Sequence, residues 1–188
     1  KDNTKLELED DFSWNGRYYV YGYGKFQGSR TQLESAITLA YDTYGTVVDS
    51  NSKLVWKRYR STQASIDGIV PVTSGDSIVN AVAAVSNYLG ADFNAVSYME
   101  QGHTAVETFD NISGVHGISL TGITYEKALS YVGDGSPVIA RIGEDEYIII
   151  TAYNSSEIAY IEASTGAQKT VSMNDAGKMF SQGGNIYV

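Results

Sequence analysis

Three segments near the C-terminus decide the fold of this chain: GSPVIAR at residues 135–141, EYIIITAYN at 146–154 and YIEASTG at 160–166. Each segment is rich in the β-branched and aromatic residues that favour strands, and turn-forming residues separate them. Because short turns join antiparallel neighbours, the pattern predicts an antiparallel sheet with strands at 138–142, 146–153 and 158–163. A short strand at 185–188 closes the chain.

The region before this sheet has helical periodicity. A helix starts after the N-cap candidates at 74–76 and ends at Gly90, and its apolar residues recur at helical spacing: Ile78, Ala81, Val82, Val85 and Leu89. Further helices are predicted at 92–101, after the capping box from Thr104 to Glu107, at 124–132 and from Ser172 onward. Helices followed by an antiparallel sheet indicate an α+β domain over residues 61–188.

Residues 1–60 predict a separate, small α/β module of ββαββ type. After a polar lead-in at 1–11, strand patterns occupy 17–23, 25–27, 46–49 and 53–57. The helix between them is predicted to begin with the capping box at 31–34 and to end at Gly45. Alternate tyrosines in the first strand point to opposite faces, so half of them can form an exposed aromatic strip, although sheet packing also explains them: Tyr18, Tyr19, Tyr21 and Tyr23.

The three C-terminal segments resemble the closing sheet of the bacteriocin-leader (double-glycine) peptidase family, a papain-like family. Its pattern is roughly G-x-P-V-I-A, then H-x-x-x-I-x-G-Y-D, then a strand that ends in D-P-x-x-G. The resemblance covers about residues 70–188 and implies a papain-like cysteine peptidase fold, with a helical half and an antiparallel sheet. The N-terminal block is similar to the small SPOR-like modules, which associate with peptidoglycan and open with a tyrosine-rich strand.

The positions that match the family's catalytic residues hold other side chains. The nucleophile belongs at the start of the central helix, where this chain has Ser77 beside Asp76, and the chain contains no cysteine. Glu146 stands in place of the family's histidine and Glu162 in place of its aspartate, while Pro71 replaces the glutamine of the oxyanion hole. The resemblance therefore implies a degenerate site with no catalytic residue.

We expect a non-catalytic papain-like domain, a pseudopeptidase, that acts as a binding or structural module. Asp76, Tyr147 and Tyr153 are the candidate binding residues for a peptide or another surface protein, in the cleft between the helical half and the sheet. On this interpretation Ser77→Ala has only a small capping effect.

The rival interpretation is an active hydrolase. It uses either Ser77 as nucleophile or Glu146 and Glu162 as an acid pair. Asp76, Glu146 and Glu162 are expected within about a Debye length, roughly 8–10 Å. Their mutual repulsion is then expected to raise the pKa of at least one partly buried member.

The amino-acid composition excludes several classes of binding partner. A net charge of −9 and a pI near 4.6 disfavour nucleic acid and anionic membranes. No apolar run reaches the roughly 18 residues that membrane insertion requires, and the segment starts at Lys1 without a signal-like stretch. The residues form no recognised metal motif, so we expect no metal or other cofactor, and His103 and His116 are assigned to loops. The 15 tyrosines, the acidic surface and the lack of cysteine are typical of secreted or cell-surface proteins of Gram-positive bacteria.

Overall fold

The computed structural model of the chain describes residues 16–59 and 61–188. The expected polar lead-in at 1–11 lies outside the described residues. The chain forms two compact units that meet between Arg58 and Tyr59. The sequence pattern predicts this boundary between residues 60 and 61.

The N-terminal unit has the order ββαββ. Its elements are β1 (Tyr18–Gly22), β2 (Lys25–Arg30), α1 (Leu33–Asp42), β3 (Thr46–Val48) and β4 (Leu54–Lys57). The strands form an antiparallel sheet in the order β2-β1-β3-β4. The apolar face of α1 is buried with one face of this sheet, so Ile37 and Ala40 form a core with Val20, Val47 and Trp56.

Both predicted ends of α1 are wrong in detail. The N-cap is Gln32, which makes no side-chain capping bond, so residues 31–34 do not form a capping box. At the other end Tyr44, and not Gly45, takes the left-handed conformation, with φ of 53°. Gly45 has a different role, because a Cβ there would lie 2.0 Å from the carbonyl oxygen of Tyr21. The glycine is needed for the close approach of the chain to β1.

The C-terminal unit mixes helices with an antiparallel sheet. Its elements in chain order are β5 (Ala64–Ser65), α2 (Ser77–Tyr88), α3 (Ala95–Glu100), α4 (Ala105–Asp110), β6 (Leu120–Thr121), α5 (Tyr125–Gly133), β7 (Val138–Arg141), β8 (Tyr147–Tyr153), β9 (Glu157–Glu162), β10 (Gln168–Ser172), α6 (Met173–Gln182) and β11 (Ile186–Tyr187). The mixed α+β class with antiparallel sheets is thus confirmed.

The sheet of this unit runs in the order β10-β9-β8-β7-β11-β6, and β5 pairs with β8 beyond the end of β7. Consecutive residues of β8 are buried on both faces: Ile148, Ile149 and Ile150. Helices α2 and α5 contact β8, whereas α6 contacts β9 and β10. This central strand therefore carries the core of the unit.

A segment at 66–73 crosses from β8 to the turn between β9 and β10, and we call it the strap. At one end the N–H of Ile66 donates to the carbonyl of Thr151 at 2.7 Å. At the other end Pro71 lies against Gly166, whose added Cβ would be 3.0 Å from the proline Cβ. The strap leads directly to the start of α2.

Local signals predicted some helix starts well and others poorly. Thr104 and Glu107 form both halves of the predicted capping box, and Ser172 caps α6 by accepting from the N–H of Asp175. The helix predicted at 92–101 begins only at Ala95, because Asn94 is its N-cap. Strand β10 was not predicted, since four of its five residues are polar and it shows no alternation of apolar and polar side chains.

Candidate functional site

Helix α2 starts beside the first residue of β8, and Ser77 makes the connection. Its Oγ accepts a hydrogen bond from the N–H of Tyr147 at 2.9 Å and donates one to the carbonyl of Tyr147 at 3.3 Å. Ser77 is buried, with 9% of its surface exposed. The hydroxyl is thus both donor and acceptor to the same residue of the strand.

One turn further along α2, Asn80 fixes the same junction. Its Nδ2 donates to the carbonyls of Gly75 at 2.7 Å and Ala163 at 3.1 Å, and its Oδ1 accepts from the N–H of Gly75 at 2.8 Å. Only 1% of the residue is exposed. Sequence analysis missed Asn80, although a polar residue among the alanines and valines of α2 was the available signal.

The carboxylate of Glu162 has a cation as its hydrogen-bonding partner. One of its oxygens accepts from Lys169 Nζ at 2.7 Å and the other from Thr165 Oγ1 at 2.6 Å. These hydrogen bonds hold the pKa of Glu162 below its usual value, and the bond to Glu162 raises the pKa of Lys169, helped by the charge of Glu146. The expectation that repulsion raises the pKa of such a carboxyl is wrong for Glu162, because Lys169 supplies the missing positive charge.

The remaining positions are only partly brought together. Asp76 is the exposed N-cap residue of α2, and Glu146 is exposed just before β8, next to the residue that Ser77 contacts. Glu162 lies on the neighbouring strand, opposite Ile148. The backbone segments that carry these positions therefore lie close together, while Asp76 and Glu146 are exposed and Glu162 binds Lys169.

The predicted binding residues Tyr147 and Tyr153 lie at opposite ends of the seven-residue strand β8. At 3.4 Å per residue these ends are about 20 Å apart, so Tyr153 does not join Asp76 and Tyr147. Its hydroxyl donates to the carbonyl of Ser61 at 3.5 Å, and burial, with the charge of Tyr59, raises its pKa. Tyr153 and Tyr59 both pack against Gly133, where they leave no room for a Cβ. Tyr153 therefore anchors the beginning of the C-terminal unit.

Both histidines lie in loops. The ring of His103 stacks on Tyr98, with centroids 3.8 Å apart and planes 10° from parallel. His116 Nδ1 lies 2.8 Å from Asp110 Oδ1, which also accepts from the N–H of Gly117. Each ring has its partner on the helix that precedes its loop, Tyr98 on α3 and Asp110 on α4.

A cleft of 460 Å³ lies between residues 65–69, which include the first part of the strap, and strands β8, β9 and β10. Its floor includes Ala152, Ala159 and Ile161, and Gln168 and Thr170 of β10 line it as well. These five residues are cross-strand neighbours in register, so they share one face of the sheet. The volume lies in the range of small-molecule and peptide side-chain pockets. This cleft lies under the strap, whereas the predicted cleft lay between the helical half and the sheet.

The N-terminal unit exposes part of its tyrosine row. Tyr19 and Tyr21 contact Phe26, with ring centroids 6.4 Å and 5.5 Å apart, and 53% of Phe26 is exposed. Tyr18 lies on the opposite face, where burial and the charge of Glu34 raise its pKa. An aromatic cluster therefore occupies the sheet face that α1 does not cover.

Comparisons with protein-family models, with curated proteins and with solved structures find no match to this chain. Within the described residues no helix has the length and apolarity that a membrane span requires. The same residues contain no group of three or more side chains placed to hold a metal ion.

Proposed function

We propose that residues 59–188 form a non-catalytic papain-like domain, a pseudopeptidase that serves as a binding module in a secreted or surface-attached bacterial protein. The proposal rests on the family resemblance of the C-terminal segments together with the position of Ser77. A papain-like site needs the start of the central helix beside the strand that carries the general base. Ser77 and Tyr147 have this relation, and Glu146 precedes Tyr147.

The single observation that carries the loss of catalysis is the bonding of the Ser77 hydroxyl. A serine nucleophile must give its proton to a base in hydrogen-bond reach. Here the proton is directed to the carbonyl of Tyr147, which is not a base, and the oxygen accepts the N–H of the same residue. The hydrogen-bond donor and the acceptor of the hydroxyl both hold α2 on the sheet, so Ser77 is a structural residue.

The rival hydrolase is disfavoured by the bonding of Glu162. A general acid at neutral pH needs a raised pKa, whereas Lys169 and Thr165 lower that of Glu162. Glu162 is therefore unsuited to be the proton donor of an acid pair with Glu146. Binding of a peptide or another surface protein remains the function for which the cleft beside β10 provides a surface.

Hydrolysis assays separate the two functions. The wild-type chain, Ser77→Ala and Glu162→Gln are incubated with peptide and glycan libraries, and products are measured by mass spectrometry. We expect no product above the buffer control for any of the three proteins. Turnover by the wild type that falls tenfold or more in either variant, a loss of about 1.4 kcal/mol of transition-state stabilisation, would show that the site is catalytic.

A further inference from the structure

Strand β10 is the outer strand of the sheet in the C-terminal unit. On its inner side the N–H of Met173 donates to Ser156 and the N–H of Glu162 donates to Ala167. Because the hydrogen-bonding direction alternates along an antiparallel strand, residues 169 and 171 also face β9. The backbone N–H and C=O groups of Gln168, Thr170 and Ser172 therefore point away from the sheet.

This edge lacks the usual devices that prevent strand addition. Natural edge strands are protected by proline, bulges or outward-pointing lysines. Strand β10 contains no proline or glycine, and its register with β9 is regular over all five residues. Its one cation, Lys169, is bound to Glu162 at 2.7 Å. The edge is thus regular, and among residues 16–59 and 61–188 no strand pairs with its outer side.

The cleft described above adjoins this edge on one face. Gln168, Lys169 and Thr170 line the cleft, and Gln168 and Thr170 are two of the three residues whose backbone groups point outward. In a strand added beside β10, alternate side chains lie on the cleft face, next to these two residues. Main-chain hydrogen bonds and a pocket for alternate side chains are the two components of peptide recognition by strand addition.

The charge of the cleft lining indicates which side chain of a bound peptide suits the cleft. Asp67 lines it and accepts a hydrogen bond from Ser65 Oγ at 3.0 Å, and no cation among the described residues pairs with this carboxylate. The floor of alanine and isoleucine side chains suits an apolar stem. The net charge of −9 attracts a basic partner over longer range.

We propose that β10 binds an extended basic peptide as an added strand, with one arginine or lysine side chain in the cleft toward Asp67. This inference rests on the proposed binding function and names its partner class. The occupant is a peptide strand of another protein. Recognition uses the outward backbone groups for affinity and Asp67 for the choice of side chain.

The test uses the full chain and a designed probe. The probe is an acetylated and amidated nonapeptide of alternating threonine and valine with one central arginine. Its first control replaces arginine by citrulline, which keeps the shape and removes the charge, and its second is N-methylated at alternate amides. Binding is followed by amide chemical shifts of the ¹⁵N-labelled chain up to millimolar peptide.

We expect shifts of the amides of Gln168, Thr170 and Ser172, and no binding of the N-methylated peptide. Thr170→Pro removes an outward N–H and weakens binding by about tenfold or more, while Thr170→Ala keeps the N–H and binds within about twofold of the wild type. Asp67→Asn and the citrulline peptide each weaken binding by about tenfold. Asp67→Asn with the citrulline peptide binds little more weakly than with either change alone, because both changes remove the same ion pair.

Three results would overturn the inference: no shift on β10, equal binding of the N-methylated peptide, or equal binding by Thr170→Pro. The N-methylated peptide tests the wild type, so the conclusion does not depend on the folding of the proline variant. Shifts confined to Ser77 and Tyr147 without cleavage would reject the β10 site and leave the proposed binding function in place. Cleavage of the probe with β10 shifts intact would reject the pseudopeptidase and support the β10 site.

Discussion

Two regions of one sheet, the central strand β8 and the outer strand β10, differ in how their polar groups are used. Where α2 meets β8, Ser77 and Asn80 bind backbone groups of Gly75, Tyr147 and Ala163, and both side chains are buried. At the β10 edge, backbone groups point to solvent beside a cleft. Ser77, the position expected from the family resemblance to hold a nucleophile, is a buried structural residue, while the cleft lies at another part of the sheet. The comparison teaches that motif matching locates a junction without telling whether it is a working site.

The largest effect is expected at the junction itself. Asn80→Ala removes three hydrogen bonds and leaves the buried carbonyl of Ala163 and part-buried backbone groups of Gly75 without this partner, so it should lower the free energy of unfolding by about 3 kcal/mol. The free energy of unfolding is measured by urea denaturation, followed by a signal that reports on the C-terminal unit. Asn87→Ala, at an exposed position of the same helix, is the control and should change stability by about 0.5 kcal/mol or less. Equal effects of both variants on stability would show that Asn80 has no special role at the junction.

A pair of proline variants compares the two sides of β10. Val171→Pro removes an N–H that bonds to β9 and should cost about 3 kcal/mol, whereas Thr170→Pro removes an outward N–H and should cost about 1 kcal/mol. Thermal and urea unfolding measure both. Similar costs would mean that the outward groups are engaged, and the edge would then not be open.

Ser77→Ala is expected to have a smaller effect than Asn80→Ala, but a larger one than sequence analysis predicted. The change leaves the N–H of Tyr147 without its acceptor beside a buried helix start, so about 1–2 kcal/mol of stability should be lost. Ser74→Ala, at an exposed position before the same helix, is the matched control and should be nearly silent. An unchanged denaturation midpoint for Ser77→Ala would restore the original expectation of a small capping effect.

The smallest effect concerns pH. The pKa of Glu162 is lowered in the folded chain, so its ion pair stabilises the fold above the carboxyl's ordinary pKa of about 4.5 and this stabilisation is lost as pH falls through the folded value. Glu162→Gln should therefore flatten the acid side of the stability profile, and Glu144→Gln, at an exposed turn residue, should leave it as in the wild type. Urea midpoints at a series of pH values below neutrality measure the difference. A parallel profile for wild type and Glu162→Gln would show that Lys169 contributes nothing to stability.

Sequence patterns predicted the parts of the fold that have a clear apolar signal, namely runs of apolar strand-forming residues and apolar residues at helical spacing. The strands at Val138–Arg141 and Tyr147–Tyr153 and the helices at Ser77–Tyr88 and Tyr125–Gly133 agree with the structure within about two residues at each end. Strand β10 was missed because an edge strand exposes both faces and needs no apolar alternation. Its pairing partner, and not its own sequence, makes it a strand.

Long-range contacts explain what the sequence did not predict at the site. The motif identified Ser77, but its bonds to Tyr147 depend on a residue 70 positions later in the chain. Asn80 and Ala163 are separated by 83 positions, so the polar residue in an apolar stretch of α2 signals a buried hydrogen bond but not its partner. Lys169 neutralises Glu162 only because β9 and β10 are paired in this register. Chemistry that depends on register follows from the folded sheet and not from local sequence.

The strap and the junction also have a consequence for the order of folding during synthesis. Residues 66–80 complete their hydrogen bonds only with Thr151, Tyr147 and Ala163, which leave the ribosome much later. Loop closure over such separations is slow, and until it occurs the apolar face of α2 stays without its sheet. The first part of the C-terminal unit therefore stays without its partners until nearly the whole unit has been made. During that time it can aggregate or bind a chaperone.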